Sequence, residues 1–429
     1  MIRIMKLGDL PKEEILKREL PTVKAEKTVT EILKRVREEG DAALYAFTEK
    51  YDGVRIDSLE VPKEEIRAAV EEVGPDFMRV LERAAGNIRV FHEKQKRDGF
   101  FFTRENGVVL GQRVVPVDRA GVYVPGGTAP LCSTVLMDVL PAKIAGCPEV
   151  ILTTPPGRDG KIAPAILAAA FCAGADRVFR IGGAQAIAAM AFGTESVPRV
   201  DKIVGPGNAY VAEAKRQVYG AVSVDMIAGP SEILIVSDGE SDPRVLAADL
   251  LSQAEHDRNA SAVLITDSLS LAEETAREIE KQLPALEREA IARASIDANG
   301  KIIVTRDLSD AIELSNDLAP EHLELSVEDP FALLGKVRHA GSVFLGRNTP
   351  EALGDYMAGP NHTLPTGGTA RFSSPLSVED FVKRIQVTSF TSEALEDVRE
   401  DVAAFAMAEG LTGHARSALI RGEIAKGEN

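Results

Sequence analysis

Apolar residues recur at two spacings along this chain, and the change between them divides it. Through roughly the first hundred residues the spacing is helical. Thr28 and Glu31 form a capping box before ILKRVREE (32–39), and Gly40 offers a stop. Pro75 opens a longer helix, DFMRVLERAAGNIRVFHEKQK, whose apolar positions continue through Phe91; His92, in its charged part, is expected on a solvated face. From Gly121 the texture changes to short β-branched runs, VYVP, EVILTTP, DRVFRIGG and DKIVGPG, each ending in Gly or Pro and leading into an Ala-rich helix. That rhythm belongs to a parallel sheet with crossover helices, and runs as apolar as Val150–Leu152 and Lys202–Val204 imply cover on both faces. A second series follows at Ile233–Val236, Ala262–Thr266, Lys301–Val304 and Ser342–Leu345. Two α/β units are therefore expected, with Tyr123–Glu232 the more compact. Beyond Phe344 comes a long Gly/Pro-rich loop, GPNHTLPTGGTARFSSP (359–375), and stretches of that kind are usually functional. The end of the chain returns to helix.

Size and charge narrow the field. With 429 residues, 45% hydrophobic and 27% charged, the chain has material for more than one globular core. A net charge of -16 argues against nucleic acid as a partner. No apolar run reaches membrane-spanning length, and the opening turns charged before a signal-type apolar region forms, so a cytoplasmic protein is expected. Cys132, Cys147 and Cys172 show no metal-type spacing and read as buried free thiols. Any metal should then be held by nitrogen and oxygen.

The chemistry concentrates around the histidines. Gln253 and His256 lie three apart in ADLLSQAEHD, so on a continuous helix their side chains would project together, an amide oxygen beside an imidazole, as a borderline divalent cation prefers. Three more of the six histidines stand beside carboxylates in what reads as loop: Glu321-His322, Asp355-Tyr356 with His362, and Glu409 with His414. A base next to an acid is what proton transfer needs. His339 reads as a charge at a helix C-terminus. Three turns fall at the carboxyl ends of expected strands, where parallel sheets bind ligands: Tyr123–Thr128, Ile181–Gln185 and Val204–Tyr210. The last, VGPGNAY, is an incomplete dinucleotide fingerprint, since Tyr210 replaces its third Gly; the strand-loop-helix context could still seat a phosphate. Ser231 opens the next strand from that side. On these residues alone, a zinc oxidoreductase, a zinc-dependent hydrolase on an α/β scaffold and an α/β ligand-binding or scaffolding protein all remain open.

VYVPGG, RIGGAQAIAA, VGPGN, AGPSE, SQAEHD, APEHLEL, GDYMAGPNHTLPTGGTARFSSPL and EGLTGHARSA together resemble the histidinol dehydrogenase family, in its order and spacing over nearly the whole chain. The resemblance implies a zinc- and NAD-dependent oxidation of L-histidinol through L-histidinal to L-histidine, the last step of histidine biosynthesis. Carried over by position, it implies zinc ligands at Gln253, His256, Asp355 and His414, and an acid–base pair at Glu321 and His322. Substrate contacts would be Ser231, Gln253, His256, His322, Asp355, Glu409 and His414, with Tyr356 and His362 nearby; NAD contacts would be Tyr123, Gln185 and Asn208. The implied fold is two incomplete Rossmann-like domains with parallel sheets plus a small helical tail, in an intertwined homodimer with shared active sites. Residues 23–122 and 233–376 would form the first domain, 123–232 the inserted NAD-binding domain, and 1–22 with 377–429 the exchanged tail. Arg258-Asn259 depart from the family pattern, where a proline is common, and touch only a loop.

Overall fold

The β-branched runs form two parallel sheets in this computed structural model, which describes residues 2–9, 11–16, 25–126 and 130–425. Residues 1, 10, 17–22 and 426–429 of the expected tail, and Gly127 and Thr128 of the first turn, lie outside the described residues. The smaller sheet runs Arg177–Arg180, Glu149–Thr154, Arg119–Tyr123, Lys202–Val204, Ser223–Val224, every pair parallel. Both its faces are apolar because both are covered. Helices Lys63–Glu93, Cys132–Ala145 and Pro164–Ala173 close one face; Glu26–Glu39, Asp41–Phe47, Gly183–Phe192 and Ala209–Val218 close the other. The larger sheet runs Arg3–Lys6, Lys301–Val304, Ser261–Thr266, Glu232–Ser237, His322–Ser326, Ser342–Leu345, again all parallel. Pro243–Ala254, Leu269–Gln282 and Glu289–Asn299 pack on one side of it and Leu308–Leu318 on the other.

Two strands escape the apolar pattern. Arg3–Lys6 begins and ends in a cation, yet it pairs in register with Lys301–Val304 at the sheet edge, not with the tail to which residues 1–22 were assigned. In His322–Ser326 a His and a Glu interrupt the alternation, so it reads as a loop. Flanked on both sides by strands, it is buried along its whole length. The helices between residues 26 and 93 also differ from expectation. They cover the small sheet, because apolar strand faces beside the crossover helices need burial, whereas the resemblance groups 23–122 with 233–376.

Helix boundaries follow the same logic. Glu26–Glu39 starts after Ala25, ahead of the expected cap, so Thr28 lies inside it and the capping box is not used; Gly40 does end it, its N–H donating to the Val36 carbonyl. Gly74 (φ 76°) breaks the long run Lys63–Glu93, and Pro75 starts its second half as expected. His92 is fully buried rather than solvated, because it lies one helical turn beyond Ile88 on the apolar face; its Nδ1 is 2.7 Å from Gln95 Oε1. His339 stands beyond the short helix Pro330–Leu334 and so is not a last-turn charge. The cysteines are free, but only Cys147 is buried; Cys132 and Cys172 are half-buried.

The sheets and their covering helices form one compact unit, up to Gln95 and from Val117 to Phe381. A second unit, Lys96–Pro116 with Val382–Asn429, joins the antiparallel strands Val382–Ser389, Val109–Pro116 and Phe100–Thr103 to helices Ser392–Ala408 and Thr412–Ala425. The tail is therefore part sheet as well as helix. Among the described residues no helix is long and apolar enough to cross a membrane. Ile235 sits at the centre of the larger sheet with no exposed surface. Ile235→Ala is predicted to lower the unfolding free energy by about 2–5 kcal/mol in chemical denaturation; a loss under about 1 kcal/mol would contradict this packing.

Candidate active site

One cleft of about 770 Å³ is lined from both sheets. The small sheet contributes the carboxyl-end turns Pro125-Gly126 and Gly205–Asn208, where such sheets bind ligands. The large sheet contributes its opposite edge: Ser231 and Glu321 stand immediately before the strands Glu232–Ser237 and His322–Ser326. His256 and His362 add imidazoles to the lining, beside Asp257, Asn259 and Arg288.

On the small-sheet side the GPGN turn is braced from beneath. Gly205 has φ 113°, and a Cβ there would strike the Tyr123 carbonyl. Its N–H donates to Asp225 Oδ2 (2.8 Å), and its carbonyl accepts from Lys215 Nζ. Lys215 and Asp225 form a buried ion pair at 2.6 Å. Asn208 caps Ala209–Val218, its Oδ1 accepting the N–H groups of Tyr210 and Val211. The positive end of that helix is thereby turned to a cleft able to take an anionic group. Of the three expected NAD contacts, Asn208 is exposed and lines the cleft. Tyr123 and Gln185 are buried, the Tyr123 hydroxyl accepting the Gly183 N–H at 3.1 Å.

On the large-sheet side Gln253 lies at the end of the helix Pro243–Ala254, and His256 does not continue it. The last turn closes through Glu255 N–H to the Leu251 carbonyl and His256 N–H to that of Gln253, leaving His256 exposed in the following turn. Gln253 is 1% exposed, and its Oε1 has no hydrogen-bond partner among the described residues. Glu321 and His322 lie at the opening of a central strand rather than in a loop. Glu321 Oε2 accepts the Glu232 N–H at 2.8 Å, and His322 Nδ1 donates to the Glu232 carbonyl at 2.9 Å. A carbonyl can only accept, so Nδ1 carries the proton and Nε2 keeps its lone pair. Asp355 also leaves the expected loop, for the short helix Glu351–Tyr356, and its Oδ1 is 3.2 Å from His362 Nδ1. Tyr356 is half-exposed at the end of that helix.

Sequence reasoning missed the acids behind these residues. Glu351, one helical turn before Asp355, has Oε1 3.5 Å from His322 Nε2, and Glu324 accepts the Glu351 N–H. His322, Glu351 and Asp355 offer ligand atoms within 4.8 Å of one another. The signal was present: Glu351 and Asp355 are four apart on a helix, and Glu324 shares a strand face with His322.

Burial divides the cluster by charge. It pushes Glu321 and Glu324 well above the usual carboxylate range and, reinforced by Asp355, Glu351 up to about 9; it lowers His322 to about 4. Asp355 is the exception. Burial alone would raise it, but the His362 hydrogen bond, with the charges of His362, His322 and His256, holds it down at about 2. An ionised carboxylate, an unpartnered buried amide oxygen on Gln253 and an imidazole at the cleft suit a borderline cation such as zinc. Glu409 and His414 belong to the second unit. Both are exposed there, Glu409 at the end of Ser392–Ala408 and His414 near the start of Thr412–Ala425; of the two, His414 lines a groove of about 1040 Å³.

The His322 shift implies a stability effect. Its imidazole titrates near 6.5 when unfolded and about 4 when folded. As pH falls, the unfolded chain therefore binds this proton first, and stability drains away across that window. The total loss below both values is about 3 kcal/mol. Urea denaturation of the metal-free protein is predicted to show an acid limb shallower by about this amount in His322→Asn; equal slopes would refute the assignment.

Relatives agree on one identity for this arrangement. The histidinol dehydrogenase family model matches residues 16–422. The chain is 53% identical over 405 residues to histidinol dehydrogenase of Syntrophotalea carbinolica, covering 94% of each protein. It is 54% identical over 398 residues to that of Bacillus cereus, covering 93% of this chain and 92% of the relative. The crystal structure of histidinol dehydrogenase from Elizabethkingia anophelis superposes with a TM-score of 0.93 at 36% identity, covering 99% of both chains. With its family shown over most of its length, the chain belongs to the histidinol dehydrogenases, NAD-dependent oxidoreductases that use zinc.

Proposed function

We propose that the cleft of the first unit holds L-histidinol, zinc and NAD together and carries out the family's two oxidations, through L-histidinal to L-histidine. The observation that carries this reading is an Asp355 held ionised beside buried acids that desolvation pushes up, with the Gln253 oxygen, unpartnered among the described residues, as a further donor. Gln253, His256 and Asp355 would hold the zinc, with His414 as fourth ligand. Zinc so held supplies orientation of the substrate imidazole and amine, and NAD supplies the acceptor for each hydride.

The chain's own groups handle the protons. His322, neutral with its Nδ1–H tied to the Glu232 carbonyl, would take the hydroxyl proton at Nε2 as hydride departs. Glu321 would draw a proton from the water that adds to the aldehyde; its raised value makes it the stronger base once ionised. Ser231, Tyr356 and His362 would border the substrate, and Glu409 would pair with its ammonium. Tyr123, Gln185 and Asn208 would contact NAD. Residues 123–232 would form the inserted NAD-binding domain, with the helices of 26–93 added to it. The reading extends to a cytoplasmic homodimer of interlocked subunits, in which His414 and Glu409 reach the partner's cleft.

Two experiments test this. Glu321→Gln is predicted to spare NADH formation from histidinol's alcohol step and to slow aldehyde oxidation by about 10²-fold or more; equal loss of both steps would reject the division of labour. A mixed dimer of one His414→Ala and one Gln253→Ala subunit keeps one intact site of two if the sites are shared. Complete inactivity of that dimer would argue against sharing.

A further inference from the structure

The long loop after Asp355 is irregular but not loose, and one helix holds it. Cys132–Ala145 presents three groups from a single face to three consecutive loop residues. Asn361 Nδ2 donates to the Met137 carbonyl (2.6 Å), and the Thr363 hydroxyl donates to Asp138 Oδ1 (2.7 Å). Between them, Thr134 Oγ1 stands 3.2 Å from His362 Nε2. Thr363 N–H also donates to Asn361 Oδ1, so the backbone on both sides of His362 is tied. What remains free is rotation of the imidazole ring, and its outer nitrogen meets the Thr134 hydroxyl. The inner nitrogen faces Asp355.

We infer that Thr134 is a positioning residue for the metal side of the cleft: by holding His362 through Nε2, it aims Nδ1 at Asp355 and fixes the direction of that carboxylate. The inference rests on the reading of Asp355 as a metal ligand. Threonine suits the task because a hydroxyl both donates and accepts. It donates to Nε2 of a neutral imidazole and accepts from Nε2–H of an imidazolium, so the ring stays oriented in either state. Thr134 is itself 1% exposed, which keeps water from taking its place. Groups that orient a metal ligand from behind typically change metal affinity about 10–100-fold when removed.

The test compares zinc dissociation constants, by chelator competition on purified protein, for the parent, Thr134→Val and Thr134→Ser, beside denaturation curves of the metal-free forms. Valine keeps the shape and removes the hydroxyl; serine keeps the hydroxyl. Expected is a zinc affinity about tenfold or more weaker in Thr134→Val, with Thr134→Ser within about threefold of the parent. Equal affinities in all three would overturn the inference while leaving the metal reading intact. Equal weakening in both variants would overturn it too, since packing and not the hydroxyl would then matter. A parent that binds no zinc overturns the metal reading and this inference with it. Should Thr134→Val fail to fold, Thr134→Ala against Thr134→Ser makes the same comparison.

Discussion

The hydrogen-bonded pair of Asp355 and His362 sets the charge of the buried acid–imidazole cluster. A carboxyl taken out of water prefers to be neutral, and the neighbouring acids Glu321, Glu324 and Glu351 follow that rule. Only at Asp355 does an imidazole at 3.2 Å reverse it. Asp355 is thus held ionised beside acids that burial pushes toward the neutral form. That is a more selective arrangement than a patch of surface acids, because a cation meets one anionic oxygen in a fixed direction instead of several screened ones.

Beside that contact, the cleft is lined from two sheets at opposite ends of their strands. The small sheet brings loop backbone from its carboxyl edge: the braced Gly205 turn and the capped helix start at Asn208. The large sheet brings Ser231, Glu321 and His322 from its amino edge, and His256 lines the same cleft as Ser231 and Glu321. Backbone donors suit a phosphate, and acids and imidazoles suit a metal and proton transfer. Helix Cys132–Ala145 ties the small sheet's core to the loop carrying His362.

Much was legible in the sequence. Short continuous β-branched runs alternating with helical segments identified both parallel sheets, because burial on two faces leaves a continuous apolar signature that local context cannot hide. The motif set named the family, since its residues keep fixed order and spacing along the chain. Pro75 and Gly40 marked helix limits through backbone geometry alone. Where a residue's behaviour follows from its immediate neighbours, the chain announces it.

The tertiary structure decided the rest, and in each case by bringing distant segments together. His322–Ser326 looks polar, yet two flanking strands bury it, and that burial sets the charge states of Glu321 and His322. His92 and Glu351 look solvated until the faces of their helices are packed. Thr134 and His362 are 228 positions apart, and no spacing rule could have joined them. Which groups are near, which are dry and which therefore hold a proton depend on three-dimensional distance and desolvation, and neither is written in the order of residues.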